Sequence, residues 1–432
     1  MSDSHELRKL AILVGGGPAP GINSVIASAT IEAVNCGLRV VGLRDGFRWL
    51  VEGDSSHVVE LGIRDVSRIH FTGGSILRTS RTNPARDEQS PLRAVQALTE
   101  MGVSYLLCIG GDDTTYGAAK IAEASSGRIG VVTVPKTIDN DLPLPDNAPT
   151  FGFETARAVG TGIIESLMED ARTTGRWYLA VSMGRKSGAL ALGMCKSAGA
   201  TLAVIPEEFH VASFDLSMVV DTIVGSIIKR LAWGRDDGVA LVAEGIAERL
   251  EPGTLERLAE SQRDAYGHVH LSDVPIGSVL REQITKTLAE VGVNATVVSK
   301  DIGYELRCAK PLPFDVEYTR TLGYGAVRYL LSGGSGALIA ISGGRVTPVS
   351  LNDLKDPETG RVRTRMVEVD TESYQVARSY MIRLELNDFE EPILSSLAAQ
   401  TKLGADQFKH RFLPVVKATA PGIGHVSAAN AH

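Results

Sequence analysis

The chain holds 432 residues, 44% of them hydrophobic and 22% charged, with 45 glycines. That is the composition of a globular enzyme, and the length exceeds one ordinary core, so two domains are expected. A formal net charge of −7 argues against nonspecific nucleic-acid binding, while local arginine clusters leave room for an anionic substrate.

Leu10–Val14 is the first apolar run and is too short for a signal peptide or a membrane span, so a cytoplasmic protein with no membrane partner is expected. It leads into a glycine-rich loop, residues 15–21, and then a helical pattern from about Asn23 to Cys36. Ile22, Val25, Ile26, Ala29 and Ala33 recur there at helical spacing, with Asn23 as the expected N-cap. Val40–Leu43 resumes as a strand and completes a βαβ unit. Further apolar runs fall at 105–109, 129–134, 177–181, 201–205, 239–243 and 336–341. Helical patterns over Ser90–Met101, Thr155–Ala171 and Ser213–Leu231 separate them, and this alternation predicts α/β layers with largely parallel sheets. Pro143, Pro145, Asn147 and Pro149 mark a domain boundary near Leu142–Thr150. Beyond Val346 the pattern weakens into a C-terminal extension, 346–432, in which Lys355–Gly360 reads as an exposed turn and Ala418–His432 as a mobile tail.

Cys36, Cys108, Cys195 and Cys308 are widely spaced and form no CxxC pair, so reduced, buried thiols are expected rather than disulfides or a zinc site. His268-Val269-His270 reads as a solvent-exposed loop rather than a metal pair, Trp49, Trp177 and Trp233 as packing residues, and Asp388-Phe389-Glu390-Glu391 as a solvated turn.

The most informative segments are two acidic loops, Gly110-Gly111-Asp112-Asp113-Thr114 and Pro135-Lys136-Thr137-Ile138-Asp139-Asn140-Asp141, each following an apolar run. Such runs read as buried parallel strands, which puts both loops at carboxyl ends of strands, where open α/β sheets bind ligands. Four carboxylates and a lysine there suit a cation meeting a polyanion. Phosphoryl transfer needs this combination: Mg2+ bridging phosphate oxygens, positive groups holding the polyphosphate, and a carboxylate to accept the attacking hydroxyl's proton. Asp112 is placed to hold the metal, and Asp139 or Asp141 to act as the base. The plainer alternative makes Asp113 or Asp141 a helix cap and Lys136 an ion-pair partner. Gly15-Gly16-Gly17-Pro18-Ala19-Pro20-Gly21, between strand and helix, offers backbone N–H groups to phosphate but matches neither GxGxxG nor the Walker pattern.

Taken together, Gly16-Gly17-Pro18-Ala19-Pro20-Gly21-Ile22-Asn23, Gly110-Gly111-Asp112, Thr137-Ile138-Asp139-Asn140-Asp141 and Met183-Gly184-Arg185 resemble the phosphofructokinases in order and approximate spacing, over roughly residues 8–345. The resemblance implies two three-layer α/β/α domains with the active site in the interdomain cleft. Residues 1–150 would bind the phosphoryl donor, with the chain returning to that domain after about 306, and 151–305 would bind the sugar phosphate. It implies Mg2+-dependent transfer of a phosphoryl group to the 1-hydroxyl of fructose 6-phosphate. Asp139 would be the general base, assisted by Asp141, and Asp112 the metal-associated carboxylate. Thr137 and Asp139 would contact the sugar, Met183, Gly184 and Arg185 its phosphate, and Glu244 its hydroxyls. Gly16 would donate its N–H to the phosphoryl donor, and Arg81 would lie near the transferred phosphate. Arg176 would reach a neighbouring subunit's site, which implies a homodimer or homotetramer.

The donor is argued from two side chains. ATP-using relatives usually carry Gly where this chain has Asp113, and a carboxylate there would crowd and repel the α-phosphate of ATP. Lys136 adds a point charge suited to a small diphosphate and its leaving phosphate. Asp113 with Lys136 therefore resembles the pyrophosphate-dependent branch, giving fructose 1,6-bisphosphate and phosphate in a reversible reaction. The alternatives are an ATP-dependent sugar-phosphate kinase and a noncatalytic regulatory subunit of the same fold. In Gly303-Tyr304-Glu305-Leu306-Arg307, Tyr304 replaces a family histidine and Arg307 keeps a phosphate-binding fork, while a further expected arginine is missing near Val298, with Lys300 close by.

Overall fold

The computed structural model describes residues 8–251, 254 and 275–419, and the chain divides into two compact α/β units. The first takes in Met1–Ala156 and Tyr304–Arg365, the second Arg157–Gly303 and Met366–His432.

The first unit is built on a seven-stranded sheet of order β11-β10-β5-β4-β1-β2-β3. Its strands are β1 (Lys9–Val14), β2 (Arg39–Leu43), β3 (Val58–Glu60), β4 (Val103–Gly110), β5 (Gly130–Pro135), β10 (Ala337–Ser342) and β11 (Arg345–Ser350). The five from β10 to β2 run parallel, and the edge strands β11 and β3 are antiparallel. The central strands are apolar on both faces because helices cover both. On one face Ile22, Val25, Ile26 and Ala29 of the helix Ile22–Asn35 pack with Leu322, Ala326 and Leu330 of the helix Pro313–Leu331. On the other, Ala94 and Leu98 pack with Ala118 and Ile121 over Ala11, Leu13, Leu106 and Cys108.

Asn23 does not cap the first helix. Gly21 holds the cap position at φ 103°, and Asn23 lies inside the helix, nearly fully buried. Its amide donates to Thr72 Oγ1 (2.9 Å) and the Gly73 carbonyl (3.2 Å) and accepts from Ile76 N–H (3.0 Å). A second tie comes from Asp315, fully buried, which accepts from the N–H groups of Gly152 and Thr155 (both 2.8 Å) and from Thr155 Oγ1 (2.6 Å).

Residues 345–365 belong to this unit. β11, Arg345-Val346-Thr347-Pro348-Val349-Ser350, is an exposed edge strand containing proline, so it lacks the apolar run that marks the inner strands. Leu351, Leu354 and Val362 then bury against Leu142, Leu144, Leu338 and Ala340. Between them the turn at 356–360 is exposed at its tip and closed by Asp356, which accepts from the N–H groups of Glu358 and Thr359.

The second unit carries a four-stranded parallel sheet, β7-β8-β6-β9, formed by β6 (Trp177–Ser182), β7 (Leu202–Val204), β8 (Gly238–Ala243) and β9 (Val297–Ile302). β9 holds Lys300 and Asp301 exposed on the sheet edge, and this polarity hid it from the apolar-run criterion. Residues 366–419 pack onto this unit. Arg411 pairs with Asp221 (3.0 Å), Lys229 with Asp388 (2.6 Å), and Arg383 with the fully buried Glu208 (2.8 Å). Asp388 and Phe389, expected in a solvated turn, are both buried. Residues 420–432 of the expected tail and His268-Val269-His270 lie outside the described residues.

All four cysteines are free; Cys108 and Cys195 are buried as expected, whereas Cys36 and Cys308 are exposed. Burial pushes the Cys195 thiol up to about 12, with Glu208 adding to the effect. Among the described residues no helix is long and apolar enough to cross a membrane.

Candidate active site

Strand register brings three loops of the first unit side by side. Val14 aligns with Ile109, and Gly110 with Pro135, so the segments after β1, β4 and β5 leave one edge of the sheet together. Backbone bonds lock them there: Gly15 N–H donates to the Ile109 carbonyl (2.9 Å) and Lys136 N–H to the Gly110 carbonyl (2.9 Å). Asp112 and Asp113 open the helix Asp112–Ser125, where the positive end of the helix dipole favours carboxylates and anions. Asp113 is exposed and Asp112 half-buried.

Lys136 is only 4% exposed, and its ammonium donates to the Gly17 carbonyl at 2.5 Å. Burial pushes it down from its ordinary 10.5 to about 8. The Asp139 carboxylate opposes that shift, Arg307 reinforces it, and Asp141 and Asp112 oppose it. One buried lysine thus feels Asp112, Asp139, Asp141 and Arg307 together. Gly16 makes the approach possible: its φ is +79°, and a Cβ there would stand 3.3 Å from the Lys136 Nζ. The Gly16 N–H, expected to face the phosphoryl donor, instead donates to the Ser80 carbonyl (2.8 Å). Gly16 therefore shapes the turn, and Thr79 Oγ1 fixes it by donating to the Gly16 carbonyl (2.5 Å). Arg81, next along, is exposed.

The loop 137–141 is buried apart from Asn140. Thr137, Ile138, Asp139 and Asp141 are each less than a tenth exposed, and Thr137 Oγ1 accepts from Asp139 N–H (3.0 Å). Asn140 is held in the left-handed region at φ 57°, with its side-chain oxygen accepting from Thr150 N–H (3.1 Å).

In the second unit, the turn Met183-Gly184-Arg185 follows β6 at the carboxyl edge of its sheet. Glu244, directly after β8, accepts through one carboxylate oxygen from the N–H groups of Gly184 (3.1 Å) and Arg185 (2.7 Å). Glu244, expected to meet sugar hydroxyls, braces the turn through these two bonds. Arg185 takes φ 51°, and Gly245 lets the strands' loops close: a Cβ there would fall 2.4 Å from the Arg185 carbonyl oxygen. Arg176 precedes β6, at the opposite end of a six-residue strand from Met183, so this chain does not bring it to that turn. Arg307 lies in the first unit beside Gly17, whose Cβ would stand 3.1 Å from its Nη2, and its guanidinium covers the exposed Tyr304 ring at 5.2 Å.

Residues 9–330 match the family model described as Phosphofructokinase. The chain is 52% identical over 410 residues to the pyrophosphate–fructose 6-phosphate 1-phosphotransferase of Thermotoga maritima, covering 94% of this chain and 98% of that one. It is 48% identical over 418 residues to the enzyme of the same name from Naegleria fowleri, covering 94% and 96% respectively. The chain belongs to the phosphofructokinase family. Its fold matches the crystal structure of Pichia pastoris phosphofructokinase in the T-state, with a TM-score of 0.65 at 19% identity, covering 96% of this chain but 40% of that one.

Phosphofructokinases are generally Mg2+-dependent, and the donor set here fits that ion in one particular way. Among the described residues no group of three or more His, Cys, Asp or Glu side chains could cage a metal. Mg2+ favours one or two carboxylates completed by water and substrate phosphate oxygens, which Asp112 beside a phosphate-sized anion would supply. One residue that bonds the loop of this candidate site has no counterpart in the sequence analysis. Arg365 reaches the loop 137–150 from the far end of the first unit, and only its basic character, with no motif around it, could have signalled it.

Proposed function

We infer that this chain is a Mg2+-dependent phosphotransferase that moves a phosphoryl group from pyrophosphate to the 1-hydroxyl of fructose 6-phosphate. The observation that carries the reading is the buried Lys136, held on the Gly17 carbonyl within the electrostatic reach of Asp112, Asp139, Asp141 and Arg307. A compact cation in a desolvated setting stabilises charge developing on a small diphosphate far better than it would in water. The two enzymes of nearly 50% identity or above, each named for pyrophosphate as donor, support the same choice.

In the forward step Asp139 accepts the proton of the sugar 1-hydroxyl as that oxygen forms its bond to phosphorus. The bridging P–O bond of pyrophosphate breaks, and the electron pair leaves on inorganic phosphate, whose charge Lys136 and Arg307 offset. Asp112 would hold the Mg2+, which when bound neutralises charge on the phosphate oxygens. Asp141 supports the base, Thr137 holds the loop and contacts the sugar, and Arg81 meets the transferred phosphate. Asp113 excludes the longer polyphosphate of a nucleotide by charge and bulk. Met183, Gly184 and Arg185 of the second unit, braced by Glu244, hold the sugar phosphate, and Tyr304, which belongs to the first unit, adds a hydroxyl donor. Arg176, remote from that turn in its own chain, completes the site of another subunit in a homodimer or homotetramer. The reverse step uses the same groups, so the reaction runs in both directions.

The test is an activity matrix on the purified protein, pyrophosphate and ATP crossed with fructose 6-phosphate and sedoheptulose 7-phosphate. Turnover is expected with pyrophosphate and fructose 6-phosphate. Turnover with ATP alone would overturn the donor assignment, and no turnover with any pair would favour a noncatalytic subunit.

A further inference from the structure

We propose that Arg365 is a positioning residue that sets the conformation of the loop carrying Asp139 and Asp141. This rests on the phosphotransferase reading above. The guanidinium donates through Nε to the Asn140 carbonyl (3.0 Å), through Nη1 to the Ala148 carbonyl (2.9 Å), and through Nη2 to the Asn140 side-chain oxygen. Its backbone N–H adds a bond to the Asp141 carbonyl (2.7 Å). Four donors from one residue therefore meet acceptors at both ends of the loop.

Those acceptors have a specific need. Asn140 sits between the two carboxylates with φ 57°, a left-handed conformation that asparagine adopts more readily than most non-glycine residues and that local hydrogen bonds to its side chain support. The Asn140 side-chain oxygen accepts from Thr150 N–H on one side and from Arg365 on the other. Lysine could not reproduce this, because a planar fork serves three separate acceptors and a point charge does not. The arginine is itself placed by packing. Leu351, Leu354 and Val362 bury in the same cluster as Leu142 and Leu144, so the segment that ends in Arg365 and the loop it grips share one core. Arg363 N–H, bonded to the Leu354 carbonyl (2.9 Å), fixes the approach two residues earlier. These guanidinium bonds go to two backbone carbonyls and one side-chain amide of the loop, so the fork acts on the loop's conformation.

Arg365→Met keeps the stem and the backbone bond to Asp141 while removing the fork. The expected result is a kcat lower by about 10- to 100-fold, as small displacements of a catalytic group cause, with both KM values within about threefold of wild type. In Arg365→Gly, guanidinium at about 50 mM, far below denaturing concentrations, restores part of the kcat. Arg365→Lys restores less than the wild-type arginine does. A wild-type kcat in Arg365→Met, or a loss matched by loss of folded protein and untouched by guanidinium, would overturn the proposal. Hydrogen exchange of the amides in 138–150 needs no substrate and separates this inference from the assigned activity. Faster exchange in Arg365→Met than in wild type is expected, and equal exchange would overturn the clamp even in an active enzyme. If the wild-type protein shows no turnover with pyrophosphate while exchange still responds, the activity assignment fails and the clamp stands.

Discussion

The Lys136 ammonium bonds the Gly17 carbonyl oxygen at 2.5 Å, joining the loop after β5 to the loop after β1 through the charged end of a nearly buried side chain. That position gives the lysine a titration within reach of ordinary assay conditions. With its value pushed down to about 8, it is mostly charged at neutral pH and loses its proton as pH rises through about 8. The value of kcat/KM for pyrophosphate is therefore expected to fall above about pH 8. In Lys136→Arg the limb moves upward, because a guanidinium stays charged there, and pyrophosphate's own ionisation is common to both proteins. Coincident profiles would mean that Lys136 is not the group observed. The stability consequence has the opposite sign. The unfolded chain holds this proton up to 10.5, so between about 8 and 10.5 it binds more protons than the folded chain, and stability rises with pH across that window. Denaturation curves of Lys136→Met should show a flatter slope there.

Asp113 is exposed at the second position of its helix, so it can be changed without leaving a cavity. Asp113→Gly is expected to lower the preference for pyrophosphate over ATP, by roughly tenfold for each 1.4 kcal/mol of repulsion removed. Asp113→Asn keeps most of the bulk and none of the charge, so it separates repulsion from crowding. The ratio of kcat/KM for the two donors is the measurement, and a ratio unchanged in both variants would dispose of the exclusion argument.

The inner strands and the three loops were legible in the sequence because burial on both faces forces continuous apolar runs, and glycine or proline must end them. β9 and β11 were not, since an edge strand with Lys300, Asp301 or Pro348 need not be apolar. Asn23 misled for a related reason. An asparagine before an apolar helix fits a cap, but here Gly21 occupies that position and the amide serves residues 72–76, which no local pattern announces. The site followed the same division. Asp112, Lys136, Asp139 and Asp141 lie in contiguous motifs, so their clustering at one sheet edge could be expected from the sequence. Arg365 and the bracing bonds of Glu244 depend on chain segments that only the tertiary fold brings together.

Stability should hinge on Arg383 and Glu208, paired at 2.8 Å with both side chains almost fully buried and Tyr374 donating to the same carboxylate (2.9 Å). Removing one partner strands a charge away from water, which costs about 3–5 kcal/mol. Arg383→Met is expected to lower the thermal midpoint strongly, and Arg383→Met combined with Glu208→Gln to recover much of the loss. Equal destabilisation by the single and double changes would argue that packing, not the stranded carboxylate, governs the effect.

Asp139 and Lys136 should be coupled in a way that distinguishes a base from a spectator. Loss of the base in Asp139→Asn is expected to reduce kcat by about 10²–10⁴-fold, the range general-base removal gives. The same change removes the strongest of the charges that hold the Lys136 proton on. Burial and Arg307 then act with less opposition, so Lys136 should titrate below about 8 in the variant. Nitrogen-15 NMR of the lysine side chain, with Lys136→Arg to assign the signal, reads that shift without any turnover. A low kcat with an unmoved Lys136 would keep Asp139 as the base but remove it from the electrostatic cluster. A shifted Lys136 with near-normal kcat would transfer the base role to Asp141.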